Sequence, residues 1–445
     1  MIDFLKTTRL NMSIRLMRLS CLALLLFAST ASQAQFGVQT SLLKDNILSQ
    51  TYQPANIAEG EYGSFRYGGQ AGFWLGNTHA SLKGVFDENG YIKEVTKDRL
   101  ISELKANEDL AGGLHLGFAS VNVKFGDRPV GFYLDEYNTA SARFNNPHTL
   151  GLILKGNGPY AGDTISDDGI SARLMRVREI AVGTGWKLEQ LSLGVRLRLK
   201  QGIRMLELND LSYRLFTETN GTVVHANAAY ELNMSPTLSN NKLFEFQGFG
   251  AGVDIGLRYQ INETMDFDFA LNNVGAMSWT TNQLKDEVDI EWKGITVTNL
   301  FVGGLSDTID EQIDSLQAII LPDTVEGNRL LMTPAIVRAG FNWRMNEKSL
   351  LAGNIIWSPI KGGWHSRLPM ISVAYQYEVM EGLKFGANAY GLGLDTFGFG
   401  LMGNYHFNAG NMGFDVLAGS DNLLGFVAPG FGRGMSVYAG IGVSL

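Results

Sequence analysis

Phe249-Gly250-Ala251-Gly252-Val253-Asp254-Ile255-Gly256-Leu257-Arg258-Tyr259-Gln260-Ile261 alternates without a break. Phe249, Ala251, Val253, Ile255, Leu257, Tyr259 and Ile261 occupy the odd positions, with Gly250, Gly252, Asp254, Gly256, Arg258 and Gln260 between them. Successive side chains of a strand point to opposite faces. This segment is therefore a strand with one wholly apolar face and one face of glycine and charge. It is also long. Soluble strands usually run about 5–6 residues, whereas a tilted bilayer-crossing strand needs about 9–11.

The same period recurs outward in both directions. Leu193, Val195, Leu197 and Leu199 alternate with Ser192, Gly194, Arg196, Arg198 and Lys200. Met265, Phe267, Phe269 and Leu271 oppose Asp266, Asp268, Ala270 and Asn272, and Phe341, Trp343 and Met345 oppose Asn342 and Arg344. Phe397, Phe399, Leu401, Tyr405 and Phe407, then Val437, Ala439, Ile441, Val443 and Leu445, carry the pattern to the end of the chain. A soluble sandwich also alternates. Strand length, the glycine-and-charge faces and the aromatics near strand ends (Tyr259, Trp343, Trp357, Phe407) favour an all-β, transmembrane antiparallel β-barrel instead. Backbone in lipid must satisfy its own hydrogen bonds, so such strands close into a ring. Fourteen strands are expected, with sixteen the alternative.

Composition agrees. Glycine makes up 53 of 445 residues and charged residues only 18%, against about 25% charged in ordinary soluble domains. Lys6, Arg9, Arg15 and Arg18 precede the short apolar run Cys21–Ala28, and Ser32-Gln33-Ala34 offers small residues for cleavage. Residues 1–34 thus read as a secretory signal peptide. They hold four Lys/Arg, one Asp and the only cysteine, so the remainder carries −11 against −8 for the whole chain. That remainder excludes disulfide and thiol chemistry, and its acidity argues against nucleic acid, which needs a basic footprint.

The rest divides into residues 35–60, an N-terminal plug or periplasmic segment, and 61–445, the barrel. Strands are expected near 77–87 and 148–156, among others. A short helix is expected over Thr96–Asn107, with Leu100, Ile101 and Leu104 on one stripe, and 157–171 reads as a flexible loop. The largest insert, 273–333, has ten Asp/Glu against three Lys/Arg and reads as a long acidic loop with a helix near 310–320.

Chemical motifs are sparse. His79, His115, His148, His225, His365 and His406 lack a second His or a carboxylate at metal spacing. The glycines at 391, 393, 398 and 400 are not followed by Gly-Lys-Ser/Thr, and no Gly-x-Ser-x-Gly elbow occurs. No enzyme, metal or cofactor is expected. The candidate functional residues are the lumen charges Arg196, Arg198, Lys200, Asp254 and Arg258. They either pair in a structural network or line a polar constriction.

Ser49-Gln50-Thr51-Tyr52-Gln53-Pro54-Ala55-Asn56 resembles the Asn-Pro-Ala segment that opens FadL-like barrels and their PorV-type relatives, with Gln53 in place of Asn. Gly250-x-Gly252-x-Asp254-x-Gly256-x-x-Tyr259, Ala270–Gly275, Gly419–Gly425 and Tyr438–Val443 are similar, in order, to later segments of an uncharacterised outer-membrane family of this type. The resemblance implies a fourteen-stranded bacterial outer-membrane barrel, with Gln53, Pro54 and Ala55 in a plug. It also implies a role in passing small or hydrophobic solutes. The alternative is a non-conducting assembly or secretion-associated protein. Outer-membrane lipid is the expected environment, and a small hydrophobic ligand or an envelope protein the expected partner.

Overall fold

The computed structural model describes residues 42, 46–59, 65–77, 94–103, 108–221, 223–236, 246–292, 325–359, 369–392, 396–428 and 434–445. Its strands are β1 (Phe65–Asn77), β2 (Glu108–Phe125), β3 (Arg128–Phe144), β4 (Thr164–Leu188), β5 (Leu191–Thr217), β6 (Val224–Met234), β7 (Gly248–Gln260) and β8 (Met265–Trp292). They continue as β9 (Val325–Met332), β10 (Ile336–Asn346), β11 (Ser349–Trp357), β12 (Met370–Met380), β13 (Leu383–Leu392), β14 (Thr396–Ala409), β15 (Met412–Ser420) and β16 (Gly434–Ser444). All pair antiparallel. The last strand returns to the first, with Arg66 opposite Ser444 and Gly76 opposite Gly434.

Fourteen strands form this ring, and β6 and β9 lie outside the count. The lower half of β5 pairs with β7 and its upper half with β6. The corresponding halves of β8 pair with the same two strands. On its other edge β8 pairs first with β10 and then with β9. β6 and β9 thus extend the wall upward over β7 and β10. Sequence expects fourteen or sixteen strands; the structure has a fourteen-stranded ring with two additional strands stacked on it.

The faces follow the alternation. Leu197, Leu199, Ile255, Ile371 and Val373 are each about half exposed on the outside, whereas Arg196, Lys200 and Asp254 are at most 1% exposed within the ring. Burying charge inward while leaving leucine and isoleucine outward is the inverse of a soluble fold and marks a membrane-type barrel. The tight turns after β2, β4, β7, β10, β12 and β14 share one end with the start of β1 and the end of β16. In outer-membrane-type barrels short turns lie at one end and longer loops at the other.

Several expectations are corrected. Residues 148–156 form a helix, Pro147–Lys155, not a strand. Asn146 caps it by accepting from the His148 N–H at 3.0 Å, and Pro147 occupies the first turn. The supposed loop 157–171 contains a 3-10 turn, Gly158–Tyr160, and then enters β4 at Thr164. The supposed acidic loop 273–333 is strand up to Trp292 and again over Val325–Met332. The expected helix at 310–320, the strand at 77–87 and the signal peptide lie outside the described residues, except Asn77, which ends β1. The loop helix runs Glu94–Glu103.

Candidate functional site

The site is the meeting of the N-terminal segment with the inner wall. Asn46 accepts from Leu48 N–H at 2.9 Å and so starts a 3-10 turn, Ile47–Thr51. Asn56 opens a one-turn helix, Asn56–Glu59, and its amide donates to Ser49 Oγ at 2.7 Å, tying the two pieces together. Proline and small residues between them keep the segment compact. Leu48, Gln50, Gln53, Ala55 and Ile57 are buried, and their neighbours are wall residues.

Its seat is a row of glycines. Gly185, Gly194 and Gly256 stand directly opposite one another on β4, β5 and β7. A Cβ at Gly194 would come within 2.0 Å of the Pro54 carbonyl oxygen. One at Gly256 would lie 2.5 Å from Ala55 N, and one at Gly185 2.7 Å from Ala58 N. Only glycine leaves room for main chain to lie flat on the wall at these positions.

The sequence-derived lumen charges form the next rows. β7 follows β6 in the chain yet pairs directly with β5, which sets Arg196 opposite Asp254. Arg196 Nε donates to Asp254, while its two other nitrogens donate to the carbonyls of Gln50 at 3.2 Å and Thr51 at 2.6 Å. Arg198 Nε donates to Asp254 at 2.7 Å, and Arg198 and Lys200 both pair with Glu179 on β4. Three cations thus meet two carboxylates. The surplus positive charge falls on the carbonyl ends of the 3-10 turn, where it is favourable. Tyr133 stacks under Arg196, with the guanidinium 4.9 Å from the ring centre, and donates to Gln50 Oε1 at 2.8 Å.

Arg258, the fifth candidate, sits nearer the end with the short turns. It pairs with Asp266 at 3.3 Å and lies 4.0 Å from Asp268. Gln53 Nε2 donates to Asp268 Oδ1 at 3.2 Å, so this second cluster also holds the segment. Gln53, Pro54 and Ala55 therefore contact both the glycine row and the acid cluster.

Three participants escape sequence reading. Glu179 lies in β4 directly after Arg176-Val177-Arg178, a basic run that hides its inward face and its partners on β5. His115 pairs with Asp135 at 2.9 Å across β2 and β3, a carboxylate partner that the linear spacing did not show. Asn273 adopts φ +65° at the irregularity where Val253 and Ile255 of β7 skip from Val274 to Leu271 of β8. Its N–H donates to Asp254 at 2.6 Å. Knowing which strands are neighbours would have exposed all three.

Above the segment lies a cavity of about 50 Å³ lined by Tyr52, Trp74, Tyr137, Ile336, Glu179 and Arg198 among others. Burial, and next the charges of Asp421 and Asp135, push the Tyr52 phenol well above its ordinary range, so it presents a neutral hydroxyl. Below it, toward the short turns, polar vestibules of about 340 and 320 Å³ share Leu42, Glu378 and Lys384. Among the described residues no group of three or more His, Cys, Asp or Glu is placed to hold a metal ion.

A family description, "Family of unknown function (DUF5723)", matches residues 54–421. The chain belongs to this family. No curated protein matches it. Among solved structures it is similar to a FadL homologue from Pseudomonas aeruginosa, at 12% identity over 89% of this chain and 93% of that one, with a TM-score of 0.45. It is similar also to the toluene transporter TodX of Pseudomonas putida, at 11% identity over 89% and 92%, TM-score 0.42. The translocator domain of the autotransporter NalP from Neisseria meningitidis follows at 8% identity over 93% and 100%, TM-score 0.32.

Proposed function

We propose that this DUF5723 protein is a bacterial outer-membrane passage for small, largely apolar solutes, closed at rest by residues 46–59. One observation carries the reading: the segment divides the lumen between a small cavity, where Tyr52, Trp74 and Tyr137 stand beside Glu179, Arg198 and Arg338, and larger vestibules on the other side. It is held by a glycine seat, by polar contacts that can be exchanged for other polar partners or water, and by two small apolar contacts, Leu48 with Met402 and Leu417 and Ile57 with Tyr133 and Ala181. The aromatic side favours an apolar occupant, and the neutral Tyr52 hydroxyl offers it one donor. The lumen charges then serve as the latch of a plug.

A second reading, a closed barrel that acts by gripping another envelope protein, draws support from the completeness of the ion network at mid-barrel. A cross-link separates the two. A Cβ at Gly440 would meet the end of the Leu48 side chain and little else at close range, so Leu48→Cys with Gly440→Cys can bridge plug and wall. In proteoliposomes, uptake of a small aromatic solute should vanish on oxidation and return on reduction. No uptake in the reduced form, with no conductance in planar bilayers, would favour the second reading.

A further inference from the structure

The outer surface of β3, β4 and β5 carries a basic ledge that the plug and lumen do not use. From the turn after β4 upward, the outward residues pair across β4 and β5 as Leu188 with Leu191, Trp186 with Leu193, Thr184 with Val195, Val182 with Leu197 and Ile180 with Leu199. The next outward row is Glu136, Arg178 and Gln201, and the one after it Asn138, Arg176 and Arg204. Apolar wall thus gives way abruptly to three arginines.

The height of this change is informative. Leu188 to Arg178 is ten residues, roughly 33 Å along a strand at about 3.3 Å each. A tilt near 40° reduces this to about 25 Å, the usual height of the lipid-facing band. The ledge therefore stands at the level of the headgroups on the side away from the short turns.

Its charge is unbalanced. Glu136 is the one carboxylate in these two rows. It accepts from Arg176 Nε at 2.8 Å and from Arg178 at 2.9 Å. Arg204 sits directly opposite Arg176, and its buried Nε has no hydrogen-bond partner among the described residues. Two like charges held face to face on neighbouring strands repel. Such a pair is stabilised by a multivalent anion that both can reach, and guanidinium forks match phosphate oxygens.

We infer that Arg176, Arg178 and Arg204 bind the phosphorylated headgroup of an outer-leaflet lipid, whose acyl chains lie against Ile180, Val182, Leu197 and Leu199. The inference rests on the membrane placement proposed above. The continuity of the ledge with that apolar wall selects a lipid over free phosphate: chain and headgroup contacts come from one molecule.

The test uses the full-length barrel in detergent micelles, with bound lipid counted by native mass spectrometry. The probes are bisphosphorylated lipid A, its dephosphorylated counterpart and inorganic phosphate. Arg204→Gln leaves the Glu136 pairs intact. A second variant, Glu136→Gln with Arg176→Gln, Arg178→Gln and Arg204→Gln, removes the ledge without stranding a carboxylate. Heat-modifiable gel migration reports folding of each. Bisphosphorylated lipid should be retained about tenfold better by the wild type than by Arg204→Gln, as for loss of one charge-assisted hydrogen bond. Dephosphorylated lipid should bind equally weakly to all three proteins, and millimolar phosphate should not displace the bound lipid. Equal retention by folded wild type and both variants, or full displacement by inorganic phosphate, overturns the lipid site alone. Failure of the wild type to insert into bilayers overturns the membrane reading, and the site with it.

Discussion

At the scale of single residues, the inner wall works by what it omits. Gly194 is empty because the Pro54 carbonyl lies where a side chain would be. Gly194→Ala should force the plug to shift, at a cost of about 1–3 kcal/mol from overpacking. Limited proteolysis is the measurement: cleavage near residues 46–59 should accelerate in Gly194→Ala. It should stay unchanged in Gly353→Ala, where the nearest atom to the new Cβ is 4.0 Å away. Asn273 makes the opposite case, a side chain kept despite its backbone. At φ +65° it tolerates glycine better than any branched residue. Asn273→Val should therefore lower unfolding stability by about 1–3 kcal/mol more than Asn273→Gly does, measured by denaturant unfolding in detergent.

Single strands divide by what their outer face meets. β7 is apolar outward over its whole length, and Ile255 lies midway along it. Ile255→Arg should cost about 2–4 kcal/mol at the bilayer midplane. Folding yields into lipid vesicles check this, with Leu330→Arg on β9, also strongly exposed, expected to cost far less because that strand stands above the band. The same division explains what the sequence could say. The alternation of β5, β7, β10, β14 and β16 was legible because a lipid-facing wall calls for an apolar residue at every second position. The upper part of β8 was not, since Ser278, Thr280, Asn282 and Asp286 break the apolar alternation where β8 runs between β6 and β9. Helix Pro147–Lys155 misled for another reason. Leu150, Leu152 and Leu154 mimic period two, and the Asn146-Pro147 start signal is brief.

At the scale of the molecule, chain order hides the site. Arg196, Arg198, Lys200, Asp254 and Arg258 were visible as inward charges, and Gln53-Pro54-Ala55 as a segment of interest. That they touch depends on β6 stacking above β7, so that β5 and β7 become neighbours. No local spacing encodes this, nor the Glu179 and Asp135 contributions from β4 and β3. The ring brings together six strands, β2 to β5 with β7 and β8, and one N-terminal segment around a buried cluster that could not exist without closure, because each charge finds its partner on a neighbouring strand or on the plug.

The central claim is that the apolar faces meet acyl chains while the small and charged faces enclose the plug. Two positions on opposite faces of β12, three residues apart, test it most directly. Val373 is 55% exposed on the outer face, and Gln376 lines the larger vestibule. With Val373→Cys or Gln376→Cys carrying a bimane label in reconstituted vesicles, acyl-brominated lipids should quench position 373 strongly and leave 376 unaffected, while aqueous iodide should do the reverse. Lipid quenching at 376 in place of 373, or at neither position, would contradict the account.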